Sequence, residues 1–175
     1  MHVEFNEVMV ELISGNIADQ PDCDAIVNAA NAELRIGGGV AGAIHSVGDP
    51  ELEELTKPLA PIKPGEAVIT EAPNLPNKYV IHCLGPIYGK DKPEDKFLAD
   101  CYRNVLSLAE ENGIESIAFP AISTGAFGYP MKEAAQIAFD TVKKKSAELN
   151  NVKYIRFVLF SAADYNLHLT LLKEY

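Results

Sequence analysis

Basic residues are in short supply in this chain of 175 residues, in which 15 lysines and arginines face 25 aspartates and glutamates, for a formal net charge of −10. A deficit of that size argues against broad affinity for nucleic acid, which needs a cationic face to release counterions from the phosphate backbone. The one basic run, Lys143, Lys144 and Lys145, ends a helical pattern, where it complements the helix dipole and faces solvent. Cysteines are also few. Cys23, Cys83 and Cys101 are odd in number, far apart and without CxxC spacing, so neither a disulfide framework nor a zinc site is suggested, and buried thiols are expected. No stretch approaches the ~18 to 20 consecutive apolar residues of a membrane helix, and the segment from Met1 to Glu7 lacks a basic region followed by an apolar one. These absences predict a cytoplasmic protein. No Ser- or Gly-rich linker, repeat or low-complexity segment divides the chain, so a single domain over residues 1–175 is expected, and 47% apolar residues suffice for its core.

Periodicity predicts six strands: Val8 to Ser14, Ala25 to Ala29, Ala67 to Glu71, Tyr79 to Leu84, Ser116 to Pro120 and Tyr154 to Phe160. Helical patterns lie between them. Gly39 to Val47 and Glu51 to Lys57 are short, whereas Lys96 to Asn112 sets Leu98, Cys101, Tyr102, Val105, Leu108 and Ala109 on one stripe and stops at Gly113. Lys132 to Leu149 is a second long helix, and Ser161 with Asp164 three residues on resembles a capping box opening the last. Strands alternating with helices imply right-handed crossovers and a largely parallel sheet covered on both faces, with the first strand, Val8 to Ser14, a candidate for antiparallel pairing at an edge.

Two segments rich in glycine and small residues each follow a short apolar strand and lead into a helix. The first runs from Asn28 and Asn31 into Gly37, Gly38, Gly39, Val40, Ala41 and Gly42; the second is Pro120 to Gly128. A backbone approaches a diphosphate closely only where Cβ atoms are absent, and a helix start adds unpaired N–H groups and the positive end of a dipole. Two such loops can grip one anionic ligand from opposite sides, held by backbone amides and not by the overall field of an acidic protein. Gly37, Gly39 and Gly42 also match GxGxxG, but a polar stretch separates them from the strand and no acidic residue about 20 positions on ends a second strand, which argues against a nicotinamide site. No GxxxxGK[ST] segment is present.

The residues Val27 to Asn31, Gly37 to His45, Tyr79 to Pro86 and Ser116 to Pro130, in that order, resemble the macro domain family over nearly the whole chain. The resemblance implies a three-layer α/β/α fold around a central mixed, largely parallel sheet of six or seven strands. It also implies an ADP-ribose cleft at the carboxyl ends of those strands, with no metal or cofactor. Gly38, Gly39, Val40 and Ala41 would run along one side of the diphosphate, and Ser123, Thr124, Gly125, Ala126 and Phe127 along the other. Asn31 would meet the terminal ribose through its amide, with Phe127 packed beside it. Asn28 would contact the ligand or simply fix the loop. Phe160 would lie against adenine, with plain core packing as its rival. Asn16, followed by Ile17, stands where the family usually has an aspartate that accepts from the adenine amino group, and a neutral acceptor is weaker by on the order of 1 kcal/mol.

Catalysis is where the sequence departs most from the family's active branch. That branch carries an Asp in the glycine loop to orient or deprotonate water, and this chain has Ala41 there. A general base typically contributes about 10² to 10⁴ in rate. Family branches with Ala in this loop also act as hydrolases, relying on a water beside the ligand's own phosphate and on the Asn at the ribose. The expected function is therefore ADP-ribose binding, free or on mono-ADP-ribosylated proteins, with slow hydrolysis of mono-ADP-ribosyl esters or O-acetyl-ADP-ribose dependent on Asn31. The alternatives are a non-catalytic ADP-ribose reader, which Ala41 favours, and an ADP-ribose 1″-phosphate phosphatase. His45 and His82 are expected to be structural.

Overall fold

The computed structural model describes residues 1–175. In chain order the elements are β1 (His2–Phe5), β2 (Val8–Ser14), β3 (Ala25–Ala29), α1 (Gly39–Gly48), α2 (Glu51–Thr56), β4 (Ala67–Glu71) and β5 (Tyr79–Cys83). They continue with α3 (Glu94–Glu111), β6 (Ser116–Phe119), α4 (Met131–Ser146), β7 (Tyr154–Leu159) and α5 (Ala162–Leu172). The strands form one seven-stranded sheet in the order β1-β2-β7-β6-β3-β5-β4. Its five central strands run parallel, and the edge strands β1 and β4 are antiparallel to β2 and β5.

Two details differ from the sequence expectation. The strand from Val8 to Ser14 is not an edge; it pairs parallel with β7, and its antiparallel partner is the unforeseen β1. Phe5 and Val8 pair across a two-residue turn in which Asn6 and Glu7 have φ of 48° and 69°. Such a turn ordinarily advertises itself by glycine, and here a glutamate occupies the left-handed position. The second difference is that β4 joins β5 antiparallel. The connection over residues 72–78 holds no helix, and a parallel crossover needs a dozen residues or more.

Alternation along the strands sorts the core into two layers. Ala25, Val27, Ile81, Cys83, Ile117, Phe119, Ile155 and Phe157 face α3, α4 and α5 in the larger apolar cluster. Its aromatic centre packs Phe157 against Phe119 with ring centroids 5.7 Å apart and edge-on against Phe139 at 5.3 Å. Ile26, Val80, Ala118 and Val158 face the other way, toward Ile44 of α1 and Leu52 of α2. All three cysteines are free and buried. No helix is long and apolar enough to cross a membrane.

Candidate functional site

The parallel strands deliver their following loops to one end of the sheet. In strand order these are the loop at Gly15 and Asn16 after β2, Phe160 after β7, the segment 120–130 after β6, the segment 30–38 after β3, and the loop beginning at Leu84 after β5. Between the β3 and β6 loops lies a cleft of about 250 Å³ lined by residues 29–31 and 37–41, Gly85, residues 121–123 and residues 125–127. No lining residue carries a charge. The only polar side chains among them are those of Asn31 and Ser123.

Local chemistry explains the shape. Helix α1 begins at Gly39, and its N-cap residue Gly38 makes no side-chain cap. The first N–H groups of the helix are therefore not capped by any side chain. A Cβ on Gly42 would come within 2.5 Å of the Gly37 carbonyl oxygen, so only glycine lets the loop fold back onto the helix. Across the cleft, a Cβ on Gly85 would meet Ser123 Oγ at 2.1 Å, so the β5 loop and the β6 loop touch only because position 85 is glycine. Ser123 itself adopts φ 66°, a left-handed conformation rare for a serine, and its buried hydroxyl has no hydrogen-bond partner. Its carbonyl accepts from the Tyr129 N–H at 2.9 Å.

Asn31 is fixed by its own loop, donating from Nδ2 to the Arg35 carbonyl at 2.7 Å and accepting at Oδ1 from the Arg35 N–H at 3.2 Å. One amide hydrogen and one oxygen lone pair remain for a ligand hydroxyl. Phe127 lines the cleft and packs against the buried cluster of Ala30, Leu34, Ile62 and Leu84.

Gly38, Gly39, Val40, Ala41, Ser123, Gly125, Ala126 and Phe127 thus line one cleft with Asn31. Thr124 belongs to the same loop but turns its hydroxyl to the Ala121 carbonyl, at 2.7 Å. Asn28 is fully buried beneath the cleft and is not on its surface. It stands opposite His82 in the β3–β5 register, and its Nδ2 donates to His82 Nδ1 at 3.1 Å. His82 Nε2 then bonds Thr70 Oγ1 at 3.0 Å. Burial first, and then the proximity of His45, push the His82 pKa down to about 3, so the His82 ring is neutral. His45 is also fully buried and bonds Asp49 at 2.8 Å. Neither histidine lines the cleft.

Asn16, Ile17 and Phe160 stand farther along the row of loops, outside the cleft lining. Phe160 is 92% exposed, which excludes core packing and leaves a free aromatic face beside the cleft row. Ile17 is buried against the α1–α2 side of the sheet. Asn16 is exposed; its Oδ1 accepts from the Ala18 N–H and its carbonyl from Gln20 Nε2, both at 2.9 Å. Gln20 in turn accepts from Arg156, which also grips Asp22 through two bonds of 2.7 Å and holds that carboxyl below the usual range. The loop at Asn16 is therefore braced from the sheet. Gly85 went unremarked as a site residue; the signal was available, since it follows directly on a parallel strand at the end of the sheet that carries the cleft. No group of three His, Cys, Asp or Glu is arranged to hold a metal ion.

Comparison with known proteins agrees with this geometry. The sequence profile of the macro domain matches residues 27–138. A macro domain-containing protein of Caldanaerobacter subterraneus is 49% identical over 164 residues, covering 91% of this chain and 93% of its own. An O-acetyl-ADP-ribose deacetylase of Cronobacter turicensis is 45% identical over 171 residues, covering 95% and 97%. Among solved structures, the Oceanobacillus iheyensis macrodomain with ADP aligns at a TM-score of 0.93 and 39% identity, over 99% of this chain and 95% of that one. The Trypanosoma brucei macrodomain in complex with ADP-ribose aligns at 0.86 and 37%, over 93% and 68%. The sheet order, the uncharged cleft between two small-residue loops and these likenesses lead to one conclusion: the chain belongs to the macro domain family.

Proposed function

We propose that this protein binds ADP-ribose in the cleft and slowly hydrolyses esters of its distal ribose, including O-acetyl-ADP-ribose and mono-ADP-ribosyl carboxylates on proteins. The observation that carries the reading is the pairing of an uncapped helix start with an opposed glycine loop around an uncharged cleft of about 250 Å³. Such a site holds a diphosphate through main-chain N–H groups, without the counterions and mobility of lysine or arginine side chains. Relatives named as O-acetyl-ADP-ribose deacetylases, at about 45% identity over nearly the whole chain, support a hydrolase.

The chemistry has to proceed without a side-chain base, because no titratable group lines the cleft. An ester carbonyl is reactive enough that positioning supplies much of the acceleration. Asn31 orients the ribose hydroxyls, and a water between the ester carbonyl and the ligand's own phosphate is the nucleophile. Ala41 favours a second reading, a module that binds ADP-ribose and releases it unchanged. The two are separated by incubating the protein with O-acetyl-ADP-ribose and with a glutamate-linked ADP-ribosylated protein. Hydrolysis above the buffer rate that drops by about tenfold in Asn31→Ala, the effect of losing one well-placed hydrogen bond, supports the enzyme. Binding without release, or release indifferent to Asn31, leaves the binding module. ADP-ribose 1″-phosphate in the same assay tests phosphatase action.

A further inference from the structure

Two exposed apolar side chains stand on loops that border the cleft without lining it, Ile36 on the segment that holds Asn31 and Tyr88 on the loop bonded to Phe127. Ile36 is 51% exposed and Tyr88 is 43% exposed. Ile36 links Arg35, whose main chain holds the Asn31 amide, to Gly37, which lines the cleft. Tyr88 sits on the loop after β5, where its N–H donates to the carbonyl of Phe127 in the cleft wall at 2.9 Å. The two loops are neighbours because β3 and β5 pair in parallel and both loops leave from the carboxyl ends.

Tyr88 is held in place before any ligand arrives. Its ring lies 4.9 Å, centroid to centroid, from the ring of buried Tyr129. Its loop is closed by the Asp91 carboxylate, which accepts from the Ile87 N–H at 2.8 Å, and by the Asp91 N–H, which donates to the Ile87 carbonyl at 2.9 Å. A fixed exposed aromatic loses little side-chain entropy when a ligand covers it, so it makes an effective contact surface.

Resting on the hydrolase reading above, we infer that Ile36 and Tyr88 form a shelf for the alkyl chain of the acyl group carried on the distal ribose. The preferred substrates are then esters with methylene groups next to the carbonyl. In the reaction water adds to that carbonyl, the bond from acyl carbon to ribose oxygen breaks, and the ribose oxygen leaves with a proton, giving a carboxylic acid and ADP-ribose. Acetyl offers the shelf one methyl. A butyryl ester and a glutamate-linked ADP-ribose both offer two methylenes, so the recognised chemistry is common to a free ester and a modified protein. Full burial of a methylene is worth about fourfold in affinity, and an open shelf covers about half of each, so the longer chain gains about three- to fivefold.

The test compares kcat/KM for O-acetyl-ADP-ribose, O-butyryl-ADP-ribose and a peptide carrying ADP-ribose on glutamate, in the wild-type protein, Ile36→Ser and Tyr88→Ser. The wild type is expected to favour the butyryl over the acetyl ester by about three- to fivefold, and both variants are expected to bring that ratio near one while acetyl turnover falls by no more than about twofold and ADP-ribose affinity stays unchanged. Loss in the butyryl arm alone assigns the shelf to free esters, and loss in the peptide arm alone assigns it to modified proteins. A wild-type ratio near one, or a ratio that neither variant alters, overturns the inference. Were turnover absent, calorimetric affinity of the butyryl ester against ADP-ribose reads the same contact. Failure of ADP-ribose itself to bind overturns the functional reading and the shelf with it, whereas normal acetyl turnover without chain preference overturns the shelf alone.

Discussion

Position 41 carries the sharpest consequence of any residue in the cleft. Ala41 is buried, lines the cleft and lies in the first turn of α1, which has no acidic residue. A carboxylate there would stand at the positive end of the helix dipole and, in the mechanism proposed above, beside the attacking water. Ala41→Asp is expected to raise kcat for O-acetyl-ADP-ribose by about 10² and to introduce an acidic limb into the pH–rate profile that the wild type lacks. Steady-state rates across pH 5 to 8 check both; an inert Asp with a wild-type profile would show that the nucleophile lies elsewhere. Asn16 sets a smaller term. Its Oδ1 accepts from the Ala18 N–H, and an aspartate preserves that turn. On the proposal that position 16 accepts from the adenine amino group, a charged acceptor is stronger by on the order of 1 kcal/mol, so Asn16→Asp is expected to tighten ADP-ribose about fivefold in calorimetry.

Elements were legible where periodicity was strong and obscure where orientation depended on contacts outside the strand. The long helices α3 and α4 declare themselves by their apolar stripes, and the short runs of β3 and β6 by being apolar on both faces. The strand β1 was hidden because its turn uses Asn6 and Glu7 in place of glycine. The reversal at β4 was hidden because the prolines of its connection read as loop without reading as hairpin. In the site, small-residue loops point to the cleft, yet the placement of Asn28 turns on the β3–β5 register, which pairs it with His82 below the surface. The contact between the β5 and β6 loops offers a test at this scale. A methyl group at position 85 has no room beside Ser123 Oγ and Ile122 Cγ2. Gly85→Ala is expected to cost about 1–3 kcal/mol in chemical denaturation and to weaken ADP-ribose binding as the Ser123 loop shifts. Unchanged affinity at wild-type stability would mean that the loops move apart without consequence.

At the scale of the molecule, an acidic protein that takes an anion must do so locally, and under the proposed function the uncharged cleft is where this chain would do it. The buried polar chain under that cleft also sets a pH dependence. His82 has a folded pKa of about 3 against an ordinary 6.5. The native state keeps it neutral while the unfolded chain takes up a proton below pH 6.5, so stability falls as pH falls from about 6.5 toward 3, by up to about 1.4 kcal/mol per unit. His168, pushed down chiefly by burial, adds to the same slope. Urea denaturation at pH 7, 6 and 5 is expected to show this decline, and His82→Gln to flatten it.

The measurement that bears most directly on the account is calorimetric titration with ADP-ribose, with ADP and AMP as controls. Saturable one-to-one binding, tighter for ADP-ribose than for ADP and weakest for AMP, is predicted if backbone amides of both loops hold the diphosphate and Asn31 meets the distal ribose. No binding, or equal affinity for ADP-ribose and AMP, would contradict it, leaving a macro domain fold without a working diphosphate site.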